Sequence, residues 1–300
     1  MTANRLRLII PSFNRACQLE CLLRSIFDNC KSADQFSICA FYRYTDDAFE
    51  SGYRIVQQQY PTVQFVQQSL ELSFKRQFLD LTDNSFFLGM IVDDMVVLEG
   101  FDPSDRPFEL LKTRDDLFSL SLRLDAAKTF SQPIHQEAKS PTFDQDLIWR
   151  WKPRLSRDYR FNRFIEKTVF KSAFYDWEVP CPLDGTVYRT ALFRRFLETV
   201  EDFKNIPFME RNLWKALRQF KNAPPNMIRY PRTRSISLAM NSVDEYHDYP
   251  SLGLDPKQFN ERFLAGDRLD YSPFQKIIFH ACHVVTEPFW LPRNHATEIS

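Results

Sequence analysis

The first hundred residues alternate between short apolar runs and longer stretches with one apolar face. Apolar runs at residues 6–10, 36–44 and 62–67 predict three β-strands. Between them, apolar side chains recur every three or four positions, as at Leu19 and Leu22, and this spacing predicts amphipathic helices. Strands that alternate with helices in this way form a mostly parallel sheet with right-handed crossovers. The pattern therefore predicts an α/β fold.

A fourth apolar stretch, from Phe86 to Val97, is interrupted by Asp93 and Asp94. A short apolar run between polar residues predicts a strand that is buried on both faces. Two adjacent carboxylates at the carboxyl end of such a strand are costly unless something pairs with them, and in open α/β sheets this end is where ligands bind. A divalent cation that holds a diphosphate would satisfy both carboxylates. The alternative is an ordinary strand end, where Asp93 caps a turn and Asp94 faces solvent.

The segment from Pro11 to Arg15 is predicted to be a loop between the first strand and the first helix, with Asn14 as the N-cap. A polar loop that leads into a helix can bind an anion, because free backbone amides and the helix dipole point at it. Many α/β proteins begin in the same way, so the loop alone does not identify a site. The sequence contains neither a GxGxxG motif nor a Walker A motif. Phosphate would therefore have to be held by a metal and by side chains.

The second half of the chain contains two candidate carboxylates. Residues 117–124 alternate apolar and polar side chains and predict a further strand, with Arg123 on its polar face. Asp184-Gly185 predicts a tight turn, and a turn residue is the ordinary interpretation of Asp184. Glu210 lies near the start of a predicted helix, where a carboxylate also compensates the helix dipole.

The last seventy residues are predicted to form an appendage to the α/β unit. Residues 274–285 are apolar and contain His280 and His283, which would share one side if the segment were helical. Histidines on apolar segments are usually packed residues, and the alternative is a metal ligand. The expected domains are a catalytic unit at 1–228, with a nucleotide-binding half at about 1–98 and an acceptor half at about 99–228, and a C-terminal extension at 229–300.

Composition narrows the class of protein. Lys plus Arg and Asp plus Glu are equal at 39 each among 300 residues, so no overall charge would attract nucleic acid. The content of 29 Phe and 6 Gly argues against a disordered chain. No apolar run approaches the roughly 20 residues of a transmembrane helix, and no signal-peptide pattern opens the sequence. Six cysteines without CxxC spacing are expected to be reduced core residues. We expect a cytoplasmic protein, either free or peripheral to a membrane.

The order of these motifs resembles that of family 2 and related GT-A-fold glycosyltransferases. The run Ile9–Arg15 followed by a leucine-rich helix resembles the opening of these enzymes. Asp93 and Asp94 fall where their DXD carboxylates end the fourth strand. The resemblance covers most of residues 6 to 220. It implies a GT-A fold, a Rossmann-like nucleotide-diphospho-sugar transferase architecture of a mixed sheet flanked by helices, here with a C-terminal extension.

The resemblance also implies roles for individual residues. Nucleotide-binding residues would be Pro11, Ser12, Arg15, Tyr44, Asp46 and Asp93, with Asp93 facing the ribose or sugar. Asp94 would bind Mn²⁺ or Mg²⁺, and His283 is a candidate further ligand. The third DXD position is Met95, where these enzymes usually have a carboxylate, so the metal site departs from the family pattern.

The predicted function is metal-dependent transfer of a sugar from a nucleotide-diphosphate sugar to an acceptor hydroxyl, with inversion, in glycan or polysaccharide synthesis. The acceptor would be a glycan, a lipid-linked molecule or another hydroxyl compound. Glu210 is favoured over Asp184 as the catalytic base, because its place in the order of motifs matches the base of inverting relatives. Two alternatives are a catalytically silent nucleotide- or sugar-binding module and a sugar-nucleotide nucleotidyltransferase. The latter normally has a glycine-rich loop after its first strand, which Pro11–Asn14 lacks.

Overall fold

The computed structural model describes residues 5–82, 84–131, 136–151, 175–177, 179, 181–219, 222–241 and 251–292. The first range alternates strands and helices: β1 (Leu6–Phe13), α1 (Ala16–Asn29), β2 (Ser37–Arg43), α2 (Asp47–Gln59), β3 (Gln64–Gln67) and α3 (Phe74–Leu81). The middle ranges contain β4 (Phe87–Met90), β5 (Met95–Val97), α4 (Arg106–Thr113), β6 (Leu117–Ser121), β7 (Phe130–Ser131), β8 (Gln136–Glu137) and β9 (Ile148–Arg150). The later ranges contain β10 (Thr186–Arg189), α5 (Thr190–Glu198), α6 (Ile206–Gln219), β11 (Asn226–Arg229), β12 (Ser235–Leu238), α7 (Pro256–Leu264) and β13 (His283–Val284).

Eight of these strands form one mixed sheet in the order β3-β2-β1-β4-β10-β6-β11-β9. β1 pairs in parallel with β2 and β4, and β2 pairs in parallel with β3. β10 is antiparallel to both of its neighbours, β4 and β6. The predicted fold class, a mixed α/β sheet flanked by helices, is confirmed.

Apolar side chains cover both faces of this sheet, as the continuous apolar runs of the central strands predict. On β1, Leu8 belongs to the core on one face and Ile9 to the core on the other, because successive side chains of a strand point to opposite faces. Helices α1, α2, α4 and α7 contribute buried residues to the first core, and α3, α5 and α6 to the second. The six cysteines are all buried and free, as expected.

A second, three-stranded sheet joins the C-terminal extension to the first half of the chain. β12 is antiparallel to β5 and parallel to β13, so that Ser237 pairs with both Met95 and His283. Helix α7 packs against α1 and α2. The extension is therefore built into the α/β unit, while the predicted domain boundaries stay a prediction.

The predicted loop at residues 11–15 is wrong for its first three residues. β1 continues to Phe13, because residues 11–13 pair with residues 41–43 of β2. Asn14 is not an N-cap. It adopts a left-handed backbone conformation with φ of 55°, and its side-chain amide exchanges two hydrogen bonds of 3.0 Å with Thr45. Asn14 thereby ties the end of β1 to the end of β2.

His280 and His283 do not share a helix, because residues 277–284 are not helical. Residues 272–276 form a short 3₁₀ helix, and His283 lies in β13. Pairing with β12 through Ser237 fixes His283 in an extended conformation. The described part of the chain has no helix with the length and apolar character of a membrane-spanning segment.

We predict that Phe87→Ala lowers the free energy of unfolding by about 3–5 kcal/mol, the usual cost of truncating a buried phenylalanine. Phe87 is fully buried, and its ring lies 4.9 Å from that of Phe108. The adjacent Phe86, which is 38% exposed, provides a matched control. Urea denaturation should show less than half the loss for Phe86→Ala, and equal losses would contradict the assigned core.

Candidate functional site

The sheet has a topological switch point at β1. The chain leaves β1 toward β2 and β3 on one side and returns to β4 on the other side. In open α/β sheets, such a reversal opens a crevice at the carboxyl ends of the two central strands, and ligands bind there. Arg15 follows the carboxyl end of β1, and Asp93 and Asp94 follow that of β4. The fold therefore brings these three residues to the expected ligand-binding edge.

Arg15 pairs with both aspartates. Its Nη1 atom lies 3.1 Å from Asp93 Oδ1 and 3.3 Å from Asp94 Oδ2. The backbone N–H of Phe13 donates to Asp93 Oδ2 at 3.4 Å, and Arg15 Nη2 donates to the Asn241 carbonyl at 2.7 Å. Arg15 and Asp93 are buried, with 7% and 4% exposure, and this buried cluster joins the ends of β1 and β4 to the C-terminal extension.

Burial and charge have opposite effects on these groups. Burial raises the pKa of Asp93 to about 6, an effect that Arg15 opposes and the neighbouring charge of Asp94 strengthens. Burial alone would lower the pKa of Arg15, but the two carboxylates outweigh it and raise that pKa. Since like charges this close disfavour each other's ionised form, the guanidinium is what permits two charged carboxylates in this buried place.

One oxygen of the aspartate pair has a free coordination position. Asp94 Oδ1 is buried and has no hydrogen-bond partner among the described residues, and Arg15 Nε and Asn241 Nδ2 share this property. A single carboxylate oxygen is compatible with Mn²⁺ or Mg²⁺, which often bind through one or two carboxylates together with substrate phosphates and water. Within the described ranges, no three His, Cys, Asp or Glu side chains are placed to hold a metal. Among the described residues, Asp94 would therefore hold a metal together with ligands from a substrate or from water.

A second charged cluster forms around Arg123. Its Nη1 atom donates to Asp184 Oδ2, and its Nη2 atom lies 4.0 Å from Asp176 Oδ1. His283 Nε2 lies 3.1 Å from the same Asp184 oxygen. Despite burial, Arg123 and His283 hold the pKa of Asp184 below its usual value. Against the effect of burial, Asp184, Asp176 and Glu210 each raise the pKa of Arg123.

The two carboxylates predicted as alternative bases thus both act on Arg123, which the alternating pattern placed on a polar face. Arg123 is instead only 3% exposed. The sequence did not identify Arg123 or Asn241 as site residues, because their partners are distant in the chain. That either Glu210 or Asp184 is the catalytic base remains a prediction.

The turn at Asp184 lies beside the aspartate pair. β10 runs antiparallel to β4 with Thr186 opposite Met90, so the residues before Thr186 come next to those after Met90. Gly185 has φ of +66°, and a Cβ atom there would lie 2.8 Å from Met95 Cε and 2.9 Å from Ser235 Oγ. Met95, at the third DXD position, is buried and packs against this turn. The chain bends at residues 183–185, where the sequence predicted a tight turn.

The predicted nucleotide-binding residues occupy different environments. Ser12 is buried, and its hydroxyl is 2.7 Å from that of Tyr53. Pro11 is half-buried in β1, and the half-buried ring of Tyr44 lies 6.5 Å from that of Tyr53. Asp46 is exposed and caps α2 by accepting from the backbone N–H groups of residues 48 and 49. Their roles toward a nucleotide stay predictions.

His283 contacts Asp184 in the Arg123 cluster. The structure describes no group that unites His283 with Asp94 in a metal site. The role of His283 as a metal ligand therefore stays a prediction. His280 is exposed, with Nδ1 3.2 Å from the Ala127 carbonyl oxygen.

Comparison with known proteins gives one curated relative in sequence. No family model matches the chain. The bifunctional glycosyltransferase pgtA of Dictyostelium discoideum is 22% identical over 195 residues, which are 62% of this chain and 24% of the relative. The chain is similar in sequence to a glycosyltransferase. The predicted resemblance is thereby confirmed, and the chain spans about a quarter of the length of this relative.

Solved structures of low sequence identity are also similar. One is S. aureus TarS, residues 1–349, at 13% identity and a TM-score of 0.42. The alignment covers 75% of this chain and 57% of the TarS chain. Another is the mannosyltransferase PcManGT from Pyrobaculum calidifontis, solved with GDP-Man and Mn²⁺, at 15% identity and a TM-score of 0.29. The alignment covers 44% of this chain and 42% of the PcManGT chain.

The His283–Asp184 pair predicts a pH dependence of stability. Although burial favours the neutral imidazole, the hydrogen bond and charge of Asp184 raise the pKa of His283. A histidine whose pKa is raised on folding stabilises the protein below its unfolded value and loses this contribution as pH rises. The free energy of unfolding should therefore decrease between about pH 6 and pH 8, and this slope should be smaller in His283→Gln.

The exposed His280 provides the control for this measurement. Urea denaturation of His280→Gln across the same pH range should give the wild-type slope. An unchanged slope in His283→Gln would contradict the ion pair with Asp184.

Proposed function

We propose that the chain transfers a sugar from a nucleotide-diphosphate sugar to an acceptor hydroxyl. The observation that carries this proposal is the Asp93–Asp94 pair at the switch point, with one buried carboxylate oxygen left unpartnered. A crevice at this place in an α/β sheet suits a nucleotide, and the unpartnered oxygen suits the cation that accompanies a diphosphate. The sequence match to a glycosyltransferase supports the same reaction class.

The donor half of the reaction requires positive charge near the diphosphate. As the bond to the sugar breaks, the leaving nucleoside diphosphate gains negative charge. Asp94 Oδ1 would hold Mn²⁺ or Mg²⁺, which supplies a Lewis acid at the phosphate oxygens. Asp93 would contribute orientation rather than coordination, because Arg15 and the Phe13 N–H engage its two oxygens. Pro11, Ser12, Arg15, Tyr44 and Asp46 are proposed to line the nucleotide side.

The acceptor half of the reaction requires a base that is both fixed and reachable. Asp184 lies on the turn that the β10–β4 register brings beside the aspartate pair, and its side chain is 15% exposed. Arg123 and His283 fix its Oδ2 atom and keep the carboxylate ionised. These contacts favour Asp184 as the base that takes the acceptor proton, in place of Glu210, which the order of motifs favoured. Transfer by such a single displacement inverts the anomeric centre.

The acceptor class is proposed as a glycan, a lipid-linked molecule or another hydroxyl compound, in glycan or polysaccharide synthesis.

Incubation with a panel of nucleotide-diphosphate sugars and analysis of released nucleotide tests the reaction class. A silent binding module would bind nucleotide without turnover. A nucleotidyltransferase would release pyrophosphate from a nucleoside triphosphate and a sugar phosphate.

We predict that Asp94→Ala abolishes transfer and Mn²⁺-dependent binding of nucleotide, because it removes the proposed coordinating oxygen. The fold should persist, since the Asp94 side chain is 22% exposed and Arg15 keeps its contact with Asp93. Calorimetric titration with UDP and GDP, with and without Mn²⁺, measures the loss. The control is Asp80→Ala, which removes a 60% exposed aspartate of a surface pair. Wild-type turnover in folded Asp94→Ala would contradict the assignment.

We predict that Asp184→Asn lowers the transfer rate by roughly 10²–10⁴-fold, because the amide keeps the shape of the side chain but cannot accept a proton. Donor affinity should stay near the wild-type value. Glu210→Gln is the matched comparison, and it should retain most of the rate. The measurement is single-turnover transfer to a fixed acceptor. A large loss in Glu210→Gln with near-normal Asp184→Asn would make Glu210 the base.

A further inference from the structure

Three of the four carboxylate oxygens of the Asp93–Asp94 pair are already engaged. Arg15 Nη1 contacts Asp93 Oδ1 and Asp94 Oδ2, and the Phe13 N–H contacts Asp93 Oδ2. Only Asp94 Oδ1 is buried without a partner among the described residues. The pair therefore offers a divalent ion one oxygen, and a guanidinium lies in contact with the other oxygen of the same carboxylate.

Two further contacts hold Arg15 in this place, one from its guanidinium and one from its backbone. Arg15 Nη2 donates to the Asn241 carbonyl at 2.7 Å, and the Arg15 backbone N–H donates to the Tyr53 hydroxyl at 3.2 Å. Gln18 Nε2 lies 3.4 Å from Asn241 Oδ1, which helps to fix that segment. Arg15 is buried and directly precedes α1, so moving its side chain away from the aspartates would break the hydrogen bond of Nη2 to Asn241.

A metal ion on Asp94 alone would meet two obstacles. Among the described residues it would find one protein ligand, whereas Mn²⁺ and Mg²⁺ take about six ligands in total, and it would lie close to a buried positive charge. A diphosphate removes both obstacles, because it brings oxygen ligands and negative charge. The unpartnered donors Arg15 Nε and Asn241 Nδ2 lie in the same cluster and are of the type that binds anionic oxygens.

We propose that Arg15 is the resident counter-cation of the Asp93–Asp94 pair, so that a divalent ion binds Asp94 only together with a nucleoside diphosphate. The nucleotide part of this inference rests on the proposed function. Arg15 acts here as a positioning residue that sets the order of metal and nucleotide binding. It excludes metal from the empty site and still permits the ion that arrives with the donor.

Mn²⁺ binding, followed by the loss of the free-ion electron paramagnetic resonance signal, tests this inference without any turnover. Wild-type protein should bind Mn²⁺ at least about tenfold more tightly with UDP or GDP present than without nucleotide, as the coupling of two ligands at one site requires. Arg15→Met should raise the nucleotide-free affinity by at least about tenfold, because two carboxylates become available. Adding Asp94→Ala to Arg15→Met should remove this gain.

Arg24→Met is the matched control, since the Arg24 side chain is 11% exposed and pairs with Glu20 rather than with the aspartates. It should leave Mn²⁺ binding at the wild-type value. Arg15→Lys, which keeps the charge, should keep the weak nucleotide-free binding and serves if Arg15→Met does not fold. Equal Mn²⁺ affinity with and without bound nucleotide, a tenfold gain in Arg15→Lys, or no gain in folded Arg15→Met would each overturn the proposal. A gain in Arg15→Met without binding of UDP or GDP would contradict the proposed function and leave the counter-cation in place.

Discussion

The site depends on charge balance at a buried strand end. Two adjacent carboxylates cannot both remain ionised in a low-dielectric environment without a cation, and Arg15 supplies that cation at 3.1 and 3.3 Å. Because Arg15 follows β1 and the aspartates follow β4, the ion pair also fastens the two central strands at their carboxyl ends. The same ion pair thus balances the charge of the two carboxylates and holds the two strand ends together.

Around this pair the site is assembled from segments that are remote in the chain. Arg123 follows β6, Asp184 precedes β10, and His283 lies in β13. Even so, Arg123 and His283 both contact the Oδ2 atom of Asp184. The three-stranded sheet makes this possible, because β12 lies between β5, which follows the aspartates, and β13. The packing of Met95 against Gly185 joins the two charged clusters. A glycine is required at this turn, since any larger residue would collide with Met95 and Ser235 in a strained backbone conformation.

Local chemistry made much of the first hundred residues predictable. Apolar periodicity predicted the strands and helices of this region. Further along the chain, the Asp-Gly pair predicted the change of chain direction at Gly185. The cluster around Arg123 was not predictable, because Asp184 is 61 positions away from it in the chain. The prediction of Asn14 as an N-cap was wrong for a similar reason. Its amide has the chemistry of an N-cap, but a tertiary contact with Thr45 outweighs that local preference.

The position of β12 has a consequence for shortened forms of the protein. β12 covers the backbone of β5, so a chain that ended near residue 228 would leave β5 with unpaired amide and carbonyl groups directly after the aspartates. Uncovered strand edges pair with other chains. Such a fragment would be prone to self-association, and the apparent appendage therefore also acts as a built-in solubility element for the α/β unit.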